Sequence, residues 1–436
     1  MSAPTSGFVT RQGGQLYLGT SRFRFSGTNE YWLGRDETED GRIPTRYRIE
    51  DGLHTAAGMA LGVVRSHTLG ISTGHADAFE PRLGTFNDSA LDQTDYAISV
   101  AEWLGLRLIL PLTNNGCHVA GCRQDYTRWL GLSNTSSFYT DEQAIGAFRT
   151  YVKRRLDHVN PYTGRRARDE PAIIAWESGN ELTMLEHNDG GPPPAEWTCG
   201  LAHFIKGIDA NHLFMDGAYG VDPNTLGCAA VDLHSNHYYP ADAARLAEDV
   251  KACAAARKPL VIGEYGWTDN SSTAPFLAAA EAAESVVAGT AFWSVFPHAD
   301  GHGFVAHPDG FTFHYPGDDG NMRSFRAATW RHAWAMRGVD APPSTPTPPL
   351  APRVTAANAT HVAWAGAALA ARYSVAVKDG SAAGARWRVV CDQCATDNDT
   401  PVRVAGGIPV AALVQVTGYG VGGRASPPSK PFKRST

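Results

Sequence analysis

The sequence lacks any apolar run close to the roughly 18 residues that a membrane-spanning helix requires. It also lacks long blocks of basic residues, and its formal net charge is −6, so no positive field attracts nucleic acid. None of its 16 histidines belongs to a His-Glu-x-x-His motif, the arrangement that binds catalytic zinc in many proteases. We therefore expect neither a membrane protein nor a nucleic-acid-binding protein, and we expect no metal or other cofactor.

Cysteine is scarce, and two pairs lie close together in the sequence: Cys117 with Cys122, and Cys391 with Cys394. A zinc site would need a second close pair or nearby histidines, and a thioredoxin-like motif would need a surrounding βαβ pattern. Neither is present. We therefore predict two disulfides that close short loops, which indicates an oxidising compartment. Cys199–Cys228 is a candidate third bridge.

Five Asn-x-Ser/Thr sequons occur along the chain, at Asn87, Asn134, Asn270, Asn358 and Asn398. A single sequon is often a chance match, and only a eukaryotic secretory route would glycosylate it. The segment Met1–Gly7 lacks the features of a signal peptide. Taken with the disulfides, the sequons favour a secreted glycoprotein whose signal peptide has been removed. We expect a monomer.

Between about residues 20 and 338, short apolar runs alternate with longer amphipathic stretches, which is typical of βα units around a parallel sheet. Eight runs are predicted as strands: Phe23–Gly27, Gly62–Ser66, Arg107–Leu112, Ala172–Trp176, Leu213–Asp216, Val231–Asn236, Pro259–Gly263 and Thr290–Val295. This pattern predicts a (β/α)8 TIM barrel over residues 1–340. An N-terminal hairpin at Gly7–Gly19, turning at Gly13-Gly14, would cover the bottom of the barrel.

The composition changes at residue 341, where the segment APPSTPTPPLAP predicts a stiff, extended linker over residues 341–352. Short alternating segments follow, and they predict a small β-sandwich over residues 353–436. Its last strands resemble those of a fibronectin type III module. We expect a packed appendage or spacer rather than a sugar-binding module, because a fold resemblance does not establish a function.

Two carboxylates emerge from apolar strands on opposite sides of the predicted barrel mouth. Glu181 follows the fourth strand in AIIAWESGNEL, and Glu264 ends the seventh in LVIGEYGW. Catalytic groups of such barrels lie at the carboxyl ends of the strands. Cleaving a glycosidic bond with retention requires one protonated and one ionised carboxyl group about 5–5.5 Å apart, whereas inversion needs roughly 6.5–9.5 Å. We therefore predict Glu181 as the general acid/base and Glu264 as the nucleophile.

The motifs that follow the strands resemble glycoside hydrolase family 5, and in particular endo-β-1,4-mannanases of the fungal and plant type. Over residues 20–338 they occur in the family's order: GTNEYWL, VVRSH, LPLTNNG, WESGNEL, HYYP, IGEYGW and FWSVF. The resemblance implies a retaining enzyme that hydrolyses β-1,4-mannosidic bonds, with mannan or manno-oligosaccharides as its substrate and partner.

The same resemblance implies a set of residues around the two glutamates. Arg65 and Tyr239 would hydrogen-bond to the nucleophile, and His237 would support the acid/base. Asn180 would bind the 2-hydroxyl of the sugar, and Trp293 would stack beneath its ring. The other residues implied to line the cleft are Asn114, Tyr31, Trp32 and His307.

Three positions depart from the mannanase pattern. His67 and Gly116 each stand where tryptophan is common, and Leu182-Thr183 replaces a Pro-Arg that helps to bind the aglycone sugar. These changes leave open an exo-β-mannosidase, a transglycosylase or a β-glucan hydrolase. A carbohydrate-binding protein without activity and a metal-dependent hydrolase are further alternatives.

Overall fold

A computed structural model describes residues 7–36, 43–184, 191–340, 347–380 and 385–434. The chain forms two compact units, of which the first comprises residues 1–44, 60–294 and 328–340, and the second comprises residues 45–59, 295–327 and 341–436. The first half of the predicted linker, residues 341–346, lies outside the described residues. Residues 347–352 have no regular secondary structure.

The first unit begins with a small antiparallel sheet of three strands, β1 (Val9–Gln12), β2 (Gln15–Leu18) and β3 (Ser21–Phe23). Gln12 pairs with Gln15, so Gly13-Gly14 is a two-residue turn, and Gly13 has the positive φ of 60° that such turns favour. The predicted hairpin is confirmed. The third strand was not predicted, because its last residue was assigned to the barrel.

Eight parallel strands close into a barrel in the order β10-β11-β4-β5-β6-β7-β8-β9, which confirms the predicted (β/α)8 architecture. The strands are β4 (Phe25–Asn29), β5 (Val63–Arg65), β6 (Arg107–Pro111), β7 (Ile173–Glu177), β8 (Leu213–Asp216), β9 (Leu233–Tyr238), β10 (Leu260–Tyr265) and β11 (Val287–Phe292). They are buried along their whole length, as parallel strands covered on both faces must be. The strand ends differ slightly from the prediction.

Ten α-helices occur in the described part of the chain: α1 (Arg46–Gly58), α2 (His67–Gly70), α3 (Asp92–Leu104), α4 (Gln124–Trp129), α5 (Ser137–Thr140), α6 (Glu142–Asp157), α7 (Ala195–Lys206), α8 (Ala243–Ala256), α9 (Asn270–Ala282) and α10 (Gly320–Met336). Helix α6 shows how the sequence sets a boundary. The Asp141 carboxylate accepts hydrogen bonds from the backbone N–H groups of Gln143 and Ala144, each at 3.0 Å. Such a cap satisfies donors that have no partner within the helix.

An apolar cluster lies at the amino-terminal ends of the barrel strands. Val9 and Leu16 of the hairpin join strand residues such as Phe25, Val63 and Leu213 in this cluster. The hairpin thus closes the end of the barrel that is opposite to the predicted catalytic face.

In the second unit, seven strands form two antiparallel sheets of order β12-β13-β16 and β15-β14-β17-β18. These strands are β12 (Arg353–Ala357), β13 (His361–Ala365), β14 (Arg372–Lys378), β15 (Arg388–Ala395), β16 (Val402–Arg403), β17 (Leu413–Tyr419) and β18 (Phe432–Lys433). Both sheets contribute to one apolar core that includes Trp364 and Tyr373. This is the two-sheet arrangement that the sequence predicts.

Disulfides join Cys117 to Cys122 and Cys391 to Cys394, as predicted. The candidate third bridge is not formed, because Cys199 and Cys228 are free thiols. In the described part of the chain, no helix combines the length and the apolar character that a membrane crossing requires.

Candidate active site

Glu181 lies in the loop that follows β7, at the carboxyl end of the barrel. Its φ is +56°, in the left-handed region, which costs a residue other than glycine about 1–2 kcal/mol. Bonds to the neighbouring loops impose this conformation: Asn180 N–H donates to Thr113 O at 2.8 Å, and Leu182 N–H donates to Gly217 O at 3.1 Å. The barrel scaffold therefore determines where the carboxylate of Glu181 lies.

The two predicted catalytic carboxylates meet across the barrel mouth. Oxygens of Glu181 and Glu264 and a ring nitrogen of His237 all lie within 4.8 Å of one another. This separation suits a nucleophile and an acid/base acting on the same bond, since retention uses about 5–5.5 Å and inversion needs a wider gap. His237 Nδ1 lies 2.7 Å from Glu181 Oε1 and 3.5 Å from Glu264 Oε2.

Arg65, at the end of β5, organises the base of the site. Its Nε and Nη2 donate to the two carboxylate oxygens of Glu177, each at 2.8 Å. Its Nη1 donates to Glu264 Oε1 at 2.7 Å, and Nη2 also donates to Asn180 Oδ1 at 2.8 Å. The guanidinium is completely buried, so these charge-assisted bonds act in a medium of low dielectric. They position Glu264 and Asn180 together.

The surroundings of Glu264 favour its ionised form. Burial raises the pKa of this carboxyl group, but the positive charges of His237 and Arg65 outweigh burial and hold the pKa well below its ordinary value. Tyr239 Oη donates to Glu264 Oε2 at 2.8 Å. Both carboxylate oxygens are therefore held by donors, and the group is prepared to act as an anion.

The same carboxylates and imidazole could also offer ligands to a metal ion. Arg65 places its positive charge 2.7 Å from Glu264, and this charge opposes a bound cation. The electrostatics thus suit proton transfer and nucleophilic attack better than metal binding.

Other predicted residues lie close to this centre. The rings of Trp293 and Tyr31 stack at 5.4 Å with an angle of 10° between their planes. Asn114 Oδ1 accepts a bond of 3.2 Å from Asn180 Nδ2. Trp32 is completely buried and has no surface to offer to a sugar, which corrects the expectation that it lines the cleft.

His307 belongs to the second unit, where its ring stacks on Phe296 at 5.1 Å and its Nδ1 lies 3.1 Å from Asp309. Its role in substrate binding stays a prediction.

Two residues of the site were missed in the sequence. Glu177 is the first glutamate of WESGNEL, and a carboxylate inside an apolar strand is a recognisable signal, since burying a charge is costly unless it is paired. Its burial raises the pKa of the carboxyl group, which Arg65 counteracts. His67 was noted only as a departure from the mannanase pattern, but its Nε2 lies 2.9 Å from Arg65 Nη1 and 3.5 Å from Glu264 Oε1.

A groove of about 470 Å³ lies next to Thr183, close in the chain to Glu181. Its walls include the prolines 192–194 and Tyr219. The Tyr219 ring lies edge-on to His237 at 6.1 Å, and the Arg245 guanidinium covers it at 5.2 Å. Prolines and an aromatic ring are surfaces on which an apolar sugar face can pack.

Comparison with known proteins identifies relatives of this chain. The chain is 28% identical over 315 residues to mannan endo-1,4-beta-mannosidase 3 of Arabidopsis thaliana, covering 62% of this chain and 74% of the relative. It is 31% identical over 239 residues to mannan endo-1,4-beta-mannosidase 2 of Oryza sativa subsp. japonica, covering 53% of this chain and about half, 52%, of that relative.

Among solved structures, the endo-1,4-beta-mannanase of Rhizomucor miehei matches with a TM-score of 0.64 at 24% identity, over 76% of this chain and 100% of that one. This likeness supports the barrel fold. A family model described as GH family 5 beta-mannosidase-like matches residues 6–240, which is more than half of the sequence. The chain therefore belongs to the GH family 5 beta-mannosidase-like family.

Proposed function

We propose that this protein is a retaining β-glycosidase that hydrolyses β-1,4-mannosidic bonds within mannan or manno-oligosaccharides. The observation that carries the proposal is the pair Glu181 and Glu264, whose oxygens lie within 4.8 Å, with Glu264 held as an anion by Arg65. The mannan specificity is supported by the relatives whose names describe mannan endo-1,4-beta-mannosidases.

In the first step, a carboxylate oxygen of Glu264 attacks the anomeric carbon while Glu181 donates its proton to the leaving glycosidic oxygen. The carbon–oxygen bond to the aglycone breaks and an ester bond to Glu264 forms. Arg65 and Tyr239 hold the attacking carboxylate in place, so less entropy is lost when the transition state forms.

In the second step, Glu181 accepts a proton from water, and the resulting hydroxide attacks the anomeric carbon from the side that the aglycone has left. The ester bond breaks and Glu264 regains its negative charge. The bond of 2.7 Å between His237 Nδ1 and Glu181 Oε1 orients the acid/base for both proton transfers. Two inversions at one carbon give a product with retained configuration.

Asn180 is suited to bind the 2-hydroxyl of the sugar that is attacked. Its Oδ1 accepts a bond from Arg65, so its Nδ2 is the atom that faces hydroxyl groups, and Asn114 orients that amide. A bond to this hydroxyl strengthens as the transition state develops.

Replacing the nucleophile tests the mechanism. Glu264→Ala is expected to lower kcat on mannotetraose by several orders of magnitude, since a step that forms a covalent bond then has no nucleophile.

Glu181→Ala should retain much more activity on an aryl β-mannobioside, because its leaving group needs little protonation, and added azide should yield the β-azide. Unchanged turnover in Glu264→Ala, or an initial product of inverted configuration by NMR, would contradict the assignment.

A time course of products on mannan separates the modes of action. Early mixtures of oligosaccharides indicate endo cleavage, which the groove beside Thr183 supports by providing space beyond the acid/base. Release of mannose alone indicates exo action. Loss of activity after chelation would instead favour a metal-dependent reaction.

Secretion and glycosylation belong to the same proposal. All five sequon asparagines, Asn87, Asn134, Asn270, Asn358 and Asn398, are exposed, as glycan attachment requires. A mass decrease after treatment with an N-glycosidase of the protein from its native source would test this. We expect the protein to act as a monomer.

The C-terminal module is proposed to be a fibronectin type III-like accessory domain over residues 353–436, joined to a catalytic region over residues 1–340 by the linker 341–352. The support lies in the strand order. The fourth strand, β15, pairs with the third, β14, whereas a constant immunoglobulin domain places its fourth strand in the other sheet.

A further inference from the structure

His67 is the first residue of helix α2, immediately beyond β5, and its Nε2 lies 2.9 Å from Arg65 Nη1. An arginine nitrogen can only donate hydrogen bonds. If Nε2 carried a proton, two N–H groups would oppose each other at this distance. Nε2 therefore accepts a bond from Arg65, and the imidazole carries its proton on Nδ1.

The surroundings also keep this ring neutral. Burial lowers the pKa of His67 to about 4, and the positive charge of Arg65 acts in the same direction, although Glu264 opposes them. At neutral pH the side chain is thus an uncharged imidazole with one N–H donor.

That donor is still available to a ligand. Within the described ranges of the chain, the polar contacts of the His67 side chain are made through Nε2, to Arg65 and towards Glu264. Nδ1 is not among the fully buried polar atoms that lack a partner, so it retains access to solvent.

The ring lies inside the site rather than beside it. Its centroid is 5.5 Å from the ring of Trp293 and 6.3 Å from that of Tyr31, and its Nε2 is 3.5 Å from Oε1 of Glu264. A sugar that places its anomeric carbon on Glu264 must come close to this imidazole. Its hydroxyl groups are acceptors of the kind that a neutral N–H recognises.

We propose that His67 Nδ1–H donates a hydrogen bond to a hydroxyl of the sugar that Glu264 attacks, and that His67 is thereby a specificity-determining residue of this site. The inference rests on the proposed glycosidase function. It assigns a substrate contact to a residue that stands where tryptophan is common in the mannanase pattern.

Two substitutions test the two ring nitrogens of His67 separately. In His67→Asn, the amide nitrogen can occupy the position of Nδ1 and keep the donor. In His67→Gln, the longer side chain reaches the position of Nε2 and can accept from Arg65, but it leaves no donor at Nδ1. Thermal melting of both variants checks that each one folds.

The substrates are aryl β-1,4-mannobiosides, in which the sugar next to the aryl group lacks one hydroxyl at a time. The wild type is expected to lose about 3–10-fold in kcat/KM on one of these analogues, as a net hydrogen bond predicts. On the parent substrate, kcat/KM of His67→Gln should be lower than that of the wild type by the same factor. This variant should cleave the parent and that analogue with equal kcat/KM, whereas His67→Asn should still prefer the parent.

Equal discrimination by His67→Gln and the wild type on every analogue would overturn the proposed contact while leaving the glycosidase function intact. If the wild type cleaves no β-mannoside, the proposed function itself fails, and this result is visible before any variant is compared.

Discussion

At the scale of single residues, the buried ion pair between Arg65 and Glu177 determines how Glu264, the proposed nucleophile, is held. Neither side chain is exposed, and both carboxylate oxygens of Glu177 accept bonds from the guanidinium. A buried pair of this kind contributes little net stability, but removing one partner leaves an uncompensated charge and costs about 3–5 kcal/mol. We therefore regard Glu177 as a positioning residue, which fixes the plane of the guanidinium so that Nη1 faces Glu264.

Arg65→Lys tests this arrangement. A single ammonium group cannot bind Glu177 through a fork and also reach Glu264 and Asn180, so we expect kcat/KM to fall by about 100-fold or more. Because the charge beside Glu264 is weakened, the pKa of that carboxyl group rises. Activity requires its anion, so the acid limb of the kcat/KM profile should move to higher pH.

The matched control is Arg154→Lys, whose side chain is half exposed and pairs with Asp88 at 3.4 Å. It should show the same profile as the wild type. An acid limb that does not move in Arg65→Lys would show that Arg65 does not set the ionisation of Glu264.

The sequence could predict the site residues that follow strand ends in recognisable motifs. Glu181, Glu264 and Arg65 are predicted in this way. A carboxylate inside an apolar strand signals that Glu177 is paired, but its partner Arg65 lies on a strand distant in sequence. His67 takes its role from lying beside both Arg65 and Glu264, which only the fold brings together. Trp32 was misassigned, because a motif does not reveal which side chains face the cleft and which face the core.

At the scale of elements, the N-terminal hairpin is a plug for the barrel. Leu16 is 1% exposed and belongs to the cluster that fills the amino-terminal end of the barrel. The proposed catalytic groups lie at the opposite end, so stability and activity should respond separately to changes at the two ends.

Leu16→Ala is expected to destabilise the protein by about 2–5 kcal/mol through lost burial and a cavity, while kcat stays unchanged. Calorimetry and steady-state kinetics on the same preparation would measure both. Thr10→Ala, an exposed position on the neighbouring strand, is the control and should change neither quantity. A large fall in kcat for Leu16→Ala would show that the plug and the site are coupled.

The periodicity of the sequence predicted which elements exist better than where they end. Parallel strands are apolar along their length, so nothing in the pattern marks the residue at which pairing stops. The first barrel strand was therefore placed at Phe23–Gly27, whereas β4 covers Phe25–Asn29. Helix α9 begins at Asn270, where the Asp269 carboxylate caps it by accepting from Ser271 N–H at 2.9 Å.

At the scale of the whole molecule, the sequence could not show that one compact unit is assembled from three separate stretches of chain. Residues 45–59 and 295–327 group with the C-terminal module, which a change of composition at residue 341 does not reveal. Within this unit, His298 lies between two carboxylates: Nδ1 is 2.9 Å from Asp51 on α1, and Nε2 is 3.2 Å from Asp397 beyond β15. Each of the three residues comes from a different stretch.

This cluster predicts how the stability of the protein depends on pH. Burial lowers the pKa of His298, but Asp51 and Asp397 outweigh it and raise the pKa to about 10. The phenol groups of Tyr47 and Tyr373 and the imidazole of His54 also lie near these carboxylates, and burial raises the pKa of both phenols and lowers that of His54. Asp300 lies near Tyr47, and the charge of His298 acts on Asp318. Since the folded-state pKa of His298 exceeds the ordinary 6.5, its stabilisation is complete below about pH 6.5 and is lost as the pH rises through about 10.

His298→Gln should therefore lower the melting temperature most at pH 6, where it leaves two buried carboxylates without their cation, at a cost of about 3–5 kcal/mol. The difference from the wild type should shrink steadily towards pH 10, because the wild type loses the same charge there. His302→Gln, at an exposed position of the same unit, is the control and should follow the wild type throughout. A difference between His298→Gln and the wild type that is the same at every pH would mean that His298 stabilises the unit by packing rather than by its charge.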